Sequence, residues 1–459
     1  MTDISQLYKD RDLRPSNLAP NIDKLFHNLE RELDKTHVYW SDEQTPTVDG
    51  LTASIVVEPQ TPEEVALVLR LCRDNDAYVI PIGGGTKLAF GDIPSSYDVA
   101  LRTTNLNKIL QYEPADMTVS VEAGISLRDL QETLDRSGQF LPLDPPFKSL
   151  STIGGIISTN AIGPQITGYG SARDMLIGTR AAHSNGELTQ AGGMVVKNVT
   201  GYDLGKLYVG SLGTLGILTE ANFKLQPKPE LSSTITFEFT ASSTAEQILS
   251  SLVYSTLQPE SVGLLGPGST SPMYQLSIRF SGRAEAVEQQ LLSTQVIANN
   301  IDSLEAKFSG SDDETQINPW SHQDQLYEAS VENGATLCRI TVLPSQLAKL
   351  MNDIFNRSRN IHVEVEAWAN AFNGILYVSF EAVNGSPLNK LVNTVTDIRH
   401  TVETLGGALV IESCGNTLKQ QLSTWGESLD PNALNLMQLM RNKFDPTFTV
   451  NPGRFVTGV

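Results

Sequence analysis

The sequence places three consecutive glycines directly after a short apolar segment, within Val79–Leu88 (VIPIGGGTKL). The apolar residues predict a strand, and residues without a side chain let the backbone come close to a ligand. A curled run of backbone N–H groups can bind a phosphate, and Lys87 adds a positive charge beside this run. The stretch therefore predicts either a tight turn or a phosphate-binding loop.

Two other phosphate-binding loops require a different spacing. A Rossmann loop needs G-x-G-x-x-G at the start of a helix, and a Walker A loop needs G-x-x-x-x-G-K-[ST]. In this chain the glycines are contiguous, and the residues at 88–94 show no helical pattern. The first glycine run alone thus leaves the tight turn and the curled anion-binding loop as alternatives.

A second glycine-rich region favours the anion-binding loop. It comprises residues 149–178 (SLSTIGGIISTNAIGPQITGYGSARDMLIG) and 201–220 (GYDLGKLYVGSLGTLGILTE), and the turn LPLDPP precedes it at Leu141–Pro146. In this combination, residues 51–230 resemble the FAD-binding domain of the vanillyl-alcohol oxidase (PCMH) type. The resemblance implies FAD as the cofactor, with the glycines at 83–85 around its pyrophosphate.

The resemblance also implies which residues bind FAD. They lie in the first loop, the LPLDPP turn, the second glycine-rich region and the tail: Pro81, Ile82, Gly83, Gly84, Gly85, Thr86, Lys87, Pro142, Asp144, Thr152, Gly154, Gly155, Ser158, Asn160, Gly163, Tyr169, Gly170, Gly216, Ile217 and Arg454. The family usually has arginine after the loop proline, where this chain has Ile82. Relatives that bind flavin covalently use a histidine or cysteine near this loop. Neither occurs between Pro81 and Pro94, so we expect noncovalent FAD.

The C-terminal half resembles flavoenzymes that oxidise 2-hydroxy acids. Their pattern F-D-P…N-P-G-[KR] occurs here at 444–446 and 451–454. Within that family, the LPLDPPF turn, the Trp425-Gly426 pair and Arg339 resemble the smaller FAD-binding subunit of bacterial glycolate dehydrogenase (glycolate oxidase). This implies glycolate as the substrate, and a larger flavin subunit and an iron–sulfur subunit as partners.

Arg339 is the candidate catalytic residue, because a guanidinium can hold a substrate carboxylate with two hydrogen bonds. Arg454 is a second candidate for that role. Catalytic relatives also hold a divalent metal with H-x-G-x-G-N-x-H and E-H-G motifs. Here the segment 366–380 (EAWANAFNGILYVSF) has no histidine, and serine follows Glu412. His362 lies in a predicted strand, where a single histidine is usually structural, so no metal is expected.

Composition excludes several other classes of protein. A net charge of −19 argues against binding to nucleic acid or to anionic membranes. The three cysteines are too widely spaced for a disulfide framework, a zinc ribbon or an iron–sulfur cluster. The sequence shows no secretory signal and no apolar stretch long enough to span a membrane. We therefore expect a cytoplasmic protein without direct membrane insertion.

Hydrophobic periodicity predicts the elements that position these residues. A helix is expected at 21–33, another begins at Thr61 and Pro62, and a strand is expected at 217–225. Beyond Pro229, two β-α-β-β-α units predict one antiparallel sheet with helices on one side. The fold class is α+β: a two-lobed FAD-binding domain (51–230) preceded by an N-terminal extension (1–50) and followed by an α+β cap (231–415). A C-terminal helix and tail (416–459) return to the FAD-binding domain.

The sequence leaves three functions open. The chain is a catalytic FAD-binding subunit of a glycolate dehydrogenase, a non-catalytic flavoprotein subunit for assembly or electron relay, or a stand-alone FAD-dependent oxidoreductase with another substrate. The lack of the histidine motifs favours the two subunit hypotheses. Turnover of 2-hydroxy acids by the purified chain would distinguish them.

Overall fold

The computed structural model describes residues 21–194, 202–268, 272–301, 304, 306–310, 318–359, 363–382, 388–426 and 429–458. His362 lies outside these ranges, as do the first twenty residues of the predicted N-terminal extension. The α-helices are α1 Ile22–Glu32, α2 Pro62–Asp74, α3 Leu127–Asp135, α4 Ile153–Thr159, α5 Ile166–Tyr169, α6 Ala172–Met175, α7 Ser242–Val253, α8 Ala284–Ile301, α9 His322–Asn333, α10 Pro344–Ser358, α11 Leu388–Thr404, α12 Asn416–Lys419 and α13 Pro431–Phe444. Short 3₁₀ helices lie at Lys35–His37, Leu204–Tyr208, Pro319–Ser321, Ala371–Asn373 and Val456–Gly458.

The first sheet contains the strand that ends at the glycine run. Its strands, in the spatial order β1-β2-β4-β3, are β1 Val38–Trp40, β2 Ile55–Val57, β4 Val99–Arg102 and β3 Val79–Ile82. Between β2 and β3, the Thr61 hydroxyl accepts a hydrogen bond from the N–H of Glu64 and caps α2, with proline in the first turn. Val65, Val68, Leu69 and Cys72 of α2 are fully buried. The predicted helix and the predicted strand before the glycines are both confirmed.

The second sheet forms the other lobe and is antiparallel. Its spatial order is β5-β6-β10-β8-β9, with β5 Ile109–Glu113, β6 Thr118–Glu122, β10 Ile217–Lys224, β8 Leu176–Ala182 and β9 Leu188–Gly192. Helices α3 and α4 pack on it with Leu127, Leu130, Ile153 and Ile156. The predicted strand at 217–225 is β10. A small two-stranded sheet pairs β7 Gln139–Phe140 with β11 Gln226–Pro227.

The C-terminal half is built on one eight-stranded sheet. The spatial order is β15-β12-β14-β13-β17-β18-β16-β19, and all the described neighbouring pairs are antiparallel. The strands are β12 Leu231–Phe239, β13 Ser261–Leu265, β14 Tyr274–Gly282, β15 Ala306–Gly310, β16 Thr336–Thr341, β17 Val363–Asn370, β18 Ile375–Ala382 and β19 Ala408–Ser413. The two predicted β-α-β-β-α units meet where β13 pairs with β17, which confirms the predicted continuous sheet.

The four helices of the two predicted units lie on one side of this sheet, as expected, but an additional helix, α9, lies on the other side. Helices α7, α8, α10 and α11 share one core with the sheet. Helix α9 instead packs with Leu337, Trp368 and Tyr377, whose strand neighbours belong to that first core. Because adjacent strand residues point to opposite faces, α9 covers the other face. Leu326 and Tyr327 of α9 also cluster with Ile162, so this helix lies between the sheet and the glycine-rich half.

The C-terminal tail returns to the first sheet. Val79 donates its N–H to the Thr449 carbonyl, and Asn451 donates its N–H to the Val79 carbonyl, each at 2.8 Å. Val450 thereby forms a parallel bridge beside β3, the strand that carries the glycine run. The tail therefore forms part of the surroundings of the glycine loop. The domain boundaries given above stay a prediction.

Candidate functional site

A cleft lies between the two lobes. Four segments of the chain form its walls: the loop after β3, the start of α4, the loop before β10 and the tail. The lining residues are Pro81, Ile82, Gly83, Gly84, Gly85, Thr86, Lys87, Leu88, Phe90, Thr103, Ser151, Thr152, Gly154, Gly155, Ile156, Ser158, Thr159, Ala161, Leu212, Gly213, Ile217, Leu218, Asn451 and Arg454. Most of the predicted cofactor residues are thus brought together here.

Close packing, which the sequence did not reveal, explains why Gly83 and Gly84 cannot carry a side chain. A Cβ atom on Gly84 would lie 1.7 Å from the carbonyl oxygen of Leu150, and one on Gly83 would lie 2.2 Å from Oγ1 of Thr152. The two glycines are therefore required because the segment at 150–152 packs directly against the loop. Gly85 differs, since its φ of +74° favours glycine while its Cβ position is open.

The loop offers consecutive unpaired backbone donors. Within the described residues, the N–H groups of residues 83–88 donate to no backbone or side-chain acceptor, whereas the N–H of Phe90 donates to the Lys87 carbonyl. A run of free N–H donors that lines a cleft can bind an anionic ligand. This property fits the pyrophosphate of FAD.

The second glycine-rich segment is shaped by close packing as well. The Thr152 hydroxyl caps α4 by accepting a hydrogen bond from the N–H of Gly155 at 3.3 Å. The N–H of Gly154 donates to the Ala123 carbonyl at 2.6 Å, and a Cβ on Gly154 would lie 3.0 Å from the Cβ of Ala123. These contacts bring the start of α4 to the cleft wall.

Seven of the predicted cofactor residues are not among the residues that line the cleft. They are Pro142, Asp144, Asn160, Gly163, Tyr169, Gly170 and Gly216. Asp144 accepts a hydrogen bond from the N–H of Gln165, and burial raises the pKa of its carboxyl to about 6. A Cβ on Gly163 would lie 1.9 Å from the Asp144 carbonyl oxygen, so this pair supports the LPLDPP turn. Asn160 ends α4 in the left-handed conformation.

The other members of this set have local structural contacts. Tyr169 packs edge-on against Phe140, and Gly170 ends α5 with a φ of +83°. Gly216 has a φ of +143°, and a Cβ there would lie 2.9 Å from Nδ1 of His183. Their assignment to the cofactor stays a prediction.

A buried charge cluster, which we call the Glu412 cluster, lies beside the cleft. It consists of Glu412 on β19, Arg339 on β16, Tyr327 on α9 and Lys87 from the glycine loop. Glu412 Oε2 accepts hydrogen bonds from Lys87 Nζ at 2.6 Å and from the Tyr327 hydroxyl, and Oε1 lies 2.9 Å from Arg339 Nε. The Lys87 ammonium also lies 3.7 Å from the centre of the Tyr327 ring. Lys87 therefore lines the cleft while its ammonium binds the cap.

Electrostatics keep this carboxylate ionised. Burial alone would raise the pKa of Glu412, but the Lys87 ammonium and the Arg339 guanidinium lower it to about 2. Burial lowers the pKa of Lys87, and Glu412 opposes that shift. Burial and the Glu412 charge raise the pKa of Tyr327 well above its ordinary value. The cluster therefore combines two cations with one carboxylate and carries a net positive charge.

The tail and α12 hold the end of the glycine loop through buried cations. Arg454 Nη2 donates to the carbonyls of Leu88 and Phe90 at 2.6 and 2.5 Å. Lys419 Nζ binds Asp49 and the carbonyls of Ala89 and Gly91 at 2.7 to 2.8 Å. Arg454 therefore fixes the shape of the loop, and it also lines the cleft.

Comparison with known proteins identifies an FAD-binding domain and the fold of the chain. Residues 53–203 match the FAD binding domain family model. The chain superposes on p-cresol methylhydroxylase with a TM-score of 0.76 and 15% identity, covering 97% of this chain and 98% of that one. The predicted α+β PCMH-type fold and the FAD cofactor are thus confirmed. Residues 53–203 are thus an FAD-binding domain, and the chain has the fold of the PCMH-type flavoproteins.

Two relatives are similar to this chain over most of its length. The chain is 26% identical to the glycolate oxidase subunit GlcD of Bacillus subtilis (strain 168), over 90% of this chain and 91% of that protein. It is 27% identical to the D-lactate dehydrogenase of Anaerostipes hadrus, over 87% and 89% respectively. Glycolate and D-lactate are both 2-hydroxy acids. The resemblance to the smaller glycolate dehydrogenase subunit stays a prediction.

Two further findings concern membrane-spanning helices and the residues around the site that the sequence did not reveal. In the described part of the chain, no helix has the length and apolar character needed to cross a membrane. The sequence did not reveal Tyr327 or Lys419 as members of the site's surroundings. Tyr327 is on α9, for which no helix was predicted, although Gly334 is a recognisable end signal for that helix.

Proposed function

We propose that this chain is an FAD-binding subunit of a cytoplasmic 2-hydroxy acid dehydrogenase that oxidises glycolate to glyoxylate. An iron–sulfur subunit receives the electrons, and a larger flavin subunit completes the complex. The proposal is supported by the similarity to a glycolate oxidase subunit and a D-lactate dehydrogenase. Because both substrates share a carboxylate beside a hydroxyl-bearing carbon, the site must hold that carboxylate.

The observation that carries the proposal is the geometry of Arg339. Its Nε is bound to Glu412, whereas its two terminal nitrogens make no hydrogen bond to any residue in the described ranges. The guanidinium side chain is 18% exposed. An arginine held through Nε keeps two parallel N–H donors for a carboxylate. Lys87, which shares Glu412 with Arg339, connects this position to the cleft wall.

The chemistry follows from these contacts. Oxidation removes the α-hydrogen of the 2-hydroxy acid as a hydride and the hydroxyl hydrogen as a proton, and bound FAD is the electron acceptor. Arg339 would bind and orient the substrate carboxylate. Glu412 would orient Arg339 and offset part of its charge. The free N–H groups at 83–88, with Thr152 and Ser158, would hold FAD in the cleft.

The non-catalytic alternative is favoured by a specific observation. The carboxylate beside Arg339 has a pKa of about 2 and is therefore a poor acceptor for the hydroxyl proton. Tyr327, with its pKa well above the ordinary value, is protonated at neutral pH and is no base either. In this alternative the chain binds FAD for assembly or electron relay, and the larger flavin subunit oxidises glycolate.

Substitution of Arg339 tests the proposal. Loss of two charge-assisted hydrogen bonds in Arg339→Ala is expected to lower kcat/KM for glycolate by about 100-fold in the assembled complex. Arg339→Lys should retain part of the activity, because an ammonium keeps the charge but not the paired donors. The matched control is Arg357→Ala, which removes a half-exposed arginine paired with Asp353 and should change kcat/KM less than about twofold. Changes below about twofold in both Arg339 variants would favour the relay hypothesis.

A further inference from the structure

In the cleft, the side-chain amide of Asn451 has a hydrogen-bond partner for its nitrogen and none for its oxygen among the described residues. Asn451 is 3% exposed and lines the cavity. Its Nδ2 donates to the Leu212 carbonyl, in the loop before β10. Its Oδ1 is buried and accepts no hydrogen bond from any of the described residues. An unsatisfied buried amide oxygen is costly, so a ligand that supplies a donor would be favoured here.

The backbone fixes this oxygen in place. The N–H of Asn451 donates to the Val79 carbonyl at 2.8 Å, which ties the residue to the strand before the glycine run. A Cβ on Gly213 would lie 3.4 Å from Pro81 and 3.6 Å from Nδ2 of Asn451, so the amide is packed between the two cofactor loops. Asn451 has a φ of +49°, a left-handed conformation that asparagine tolerates better than most residues.

From this position we propose that Asn451 is a cofactor-binding residue whose Oδ1 accepts a hydrogen bond from an O–H or N–H group of FAD. The pyrophosphate of FAD is an acceptor at neutral pH, so it is served by the free N–H groups at 83–88. Oδ1 of Asn451 is itself an acceptor, so it needs a hydrogen-bond donor of FAD. The donor is either a hydroxyl or ring N–H of the flavin half or a hydroxyl or amino group of the adenosine half. The assignment needs only bound FAD and is independent of the substrate.

The test is FAD binding to the apo-chain, measured by fluorescence titration. Asn451→Gly removes the whole amide, both Oδ1 and the Nδ2 bond to the Leu212 carbonyl, and leaves the positive φ unstrained. We expect FAD to bind about tenfold more weakly, the effect of losing one hydrogen bond. FMN and ADP, which represent the two halves of FAD, locate the donor. Weaker FMN binding with unchanged ADP binding assigns the flavin half, and the converse assigns the adenosine half.

A matched control separates ligand binding from anchoring of the tail. Trp425 donates from Nε1 to the Arg454 carbonyl at 3.1 Å and does not line the cleft. Trp425→Phe should lower the melting temperature of the apo-chain and change FAD affinity by less than about twofold. The proposal is overturned if Asn451→Gly leaves FAD affinity within twofold of wild type. It is also overturned if FMN and ADP are weakened equally, or if Trp425→Phe reproduces the loss, because tail anchoring would then explain the result.

Discussion

Gly84→Ala is expected to abolish FAD retention during purification. The new Cβ would lie 1.7 Å from the carbonyl oxygen and 2.6 Å from the carbonyl carbon of Leu150, and both of these are backbone atoms that cannot rotate away. The glycine loop and the segment at 150–152 must then separate, and both form the wall of the cleft. With a strain of about 3 kcal/mol, FAD affinity should fall roughly 100-fold. The flavin content of the purified chain measures the effect.

The neighbouring glycine provides the control. A Cβ on Gly85 meets only a Leu88 methyl group at 3.9 Å, so Gly85→Ala adds only the cost of a left-handed alanine, about 1 to 2 kcal/mol. Gly85→Ala should therefore retain much more flavin than Gly84→Ala. Equal flavin content in wild type and Gly84→Ala would show that close packing of the two segments does not shape the cleft.

Glu412→Ala is expected to destabilise the fold by about 3 to 5 kcal/mol, because it leaves two buried cations without their carboxylate. Lys87 and Arg339 both lose their bond to Glu412, and the Tyr327 hydroxyl loses its acceptor. Urea denaturation monitored by circular dichroism measures the change. The control is Glu238→Ala, whose partner Lys307 is 63% exposed, and its expected effect is below about 1 kcal/mol. If the two variants are equally stable, the Glu412 cluster does not hold the cap to the glycine loop.

The same cluster predicts a dependence of stability on pH. Glu412 has its pKa lowered from the ordinary 4.5 to about 2, so its ionised form is favoured by folding. The resulting stability is present above pH 4.5 and is lost as the pH falls from 4.5 towards 2. Glu412→Gln cannot titrate, so the stability gap between it and wild type should narrow over this range. A gap that stays constant down to pH 2.5 would contradict the shift.

Local and periodic features of the fold could be predicted from the sequence. The cap of α2, the burial of its apolar face and the alternation of β10 depend on neighbouring residues, and the structure has each of them. The two β-α-β-β-α units also follow from element order. The sequence identified the glycine run as residues that let the backbone come close to a ligand. The contact of Gly84 with Leu150 could not be predicted, because it joins residues far apart in the chain.

The Glu412 cluster shows most clearly where the sequence falls short. Lys87 and Glu412 are separated by 325 positions, and nothing in either local sequence pairs them. Tyr327 lies on α9, whose apolar residues face two different parts of the molecule and therefore give a weak helical pattern. Asn451 was recognised only as part of a C-terminal pattern. Its half-satisfied amide depends on the tail returning to Val79 and Leu212.

The most direct test of the proposed activity is anaerobic mixing of the FAD-loaded chain, purified without partner subunits, with glycolate. Only the reductive half of the reaction is observed, so no iron–sulfur acceptor is needed. We expect glycolate to bleach the absorbance of the oxidised flavin in a saturable way, and we expect Arg339→Ala to abolish this at the same concentration. D-lactate serves as the alternative 2-hydroxy acid. A flavin that dithionite reduces but that stays oxidised with both acids would contradict the proposed catalytic activity and would support the relay hypothesis.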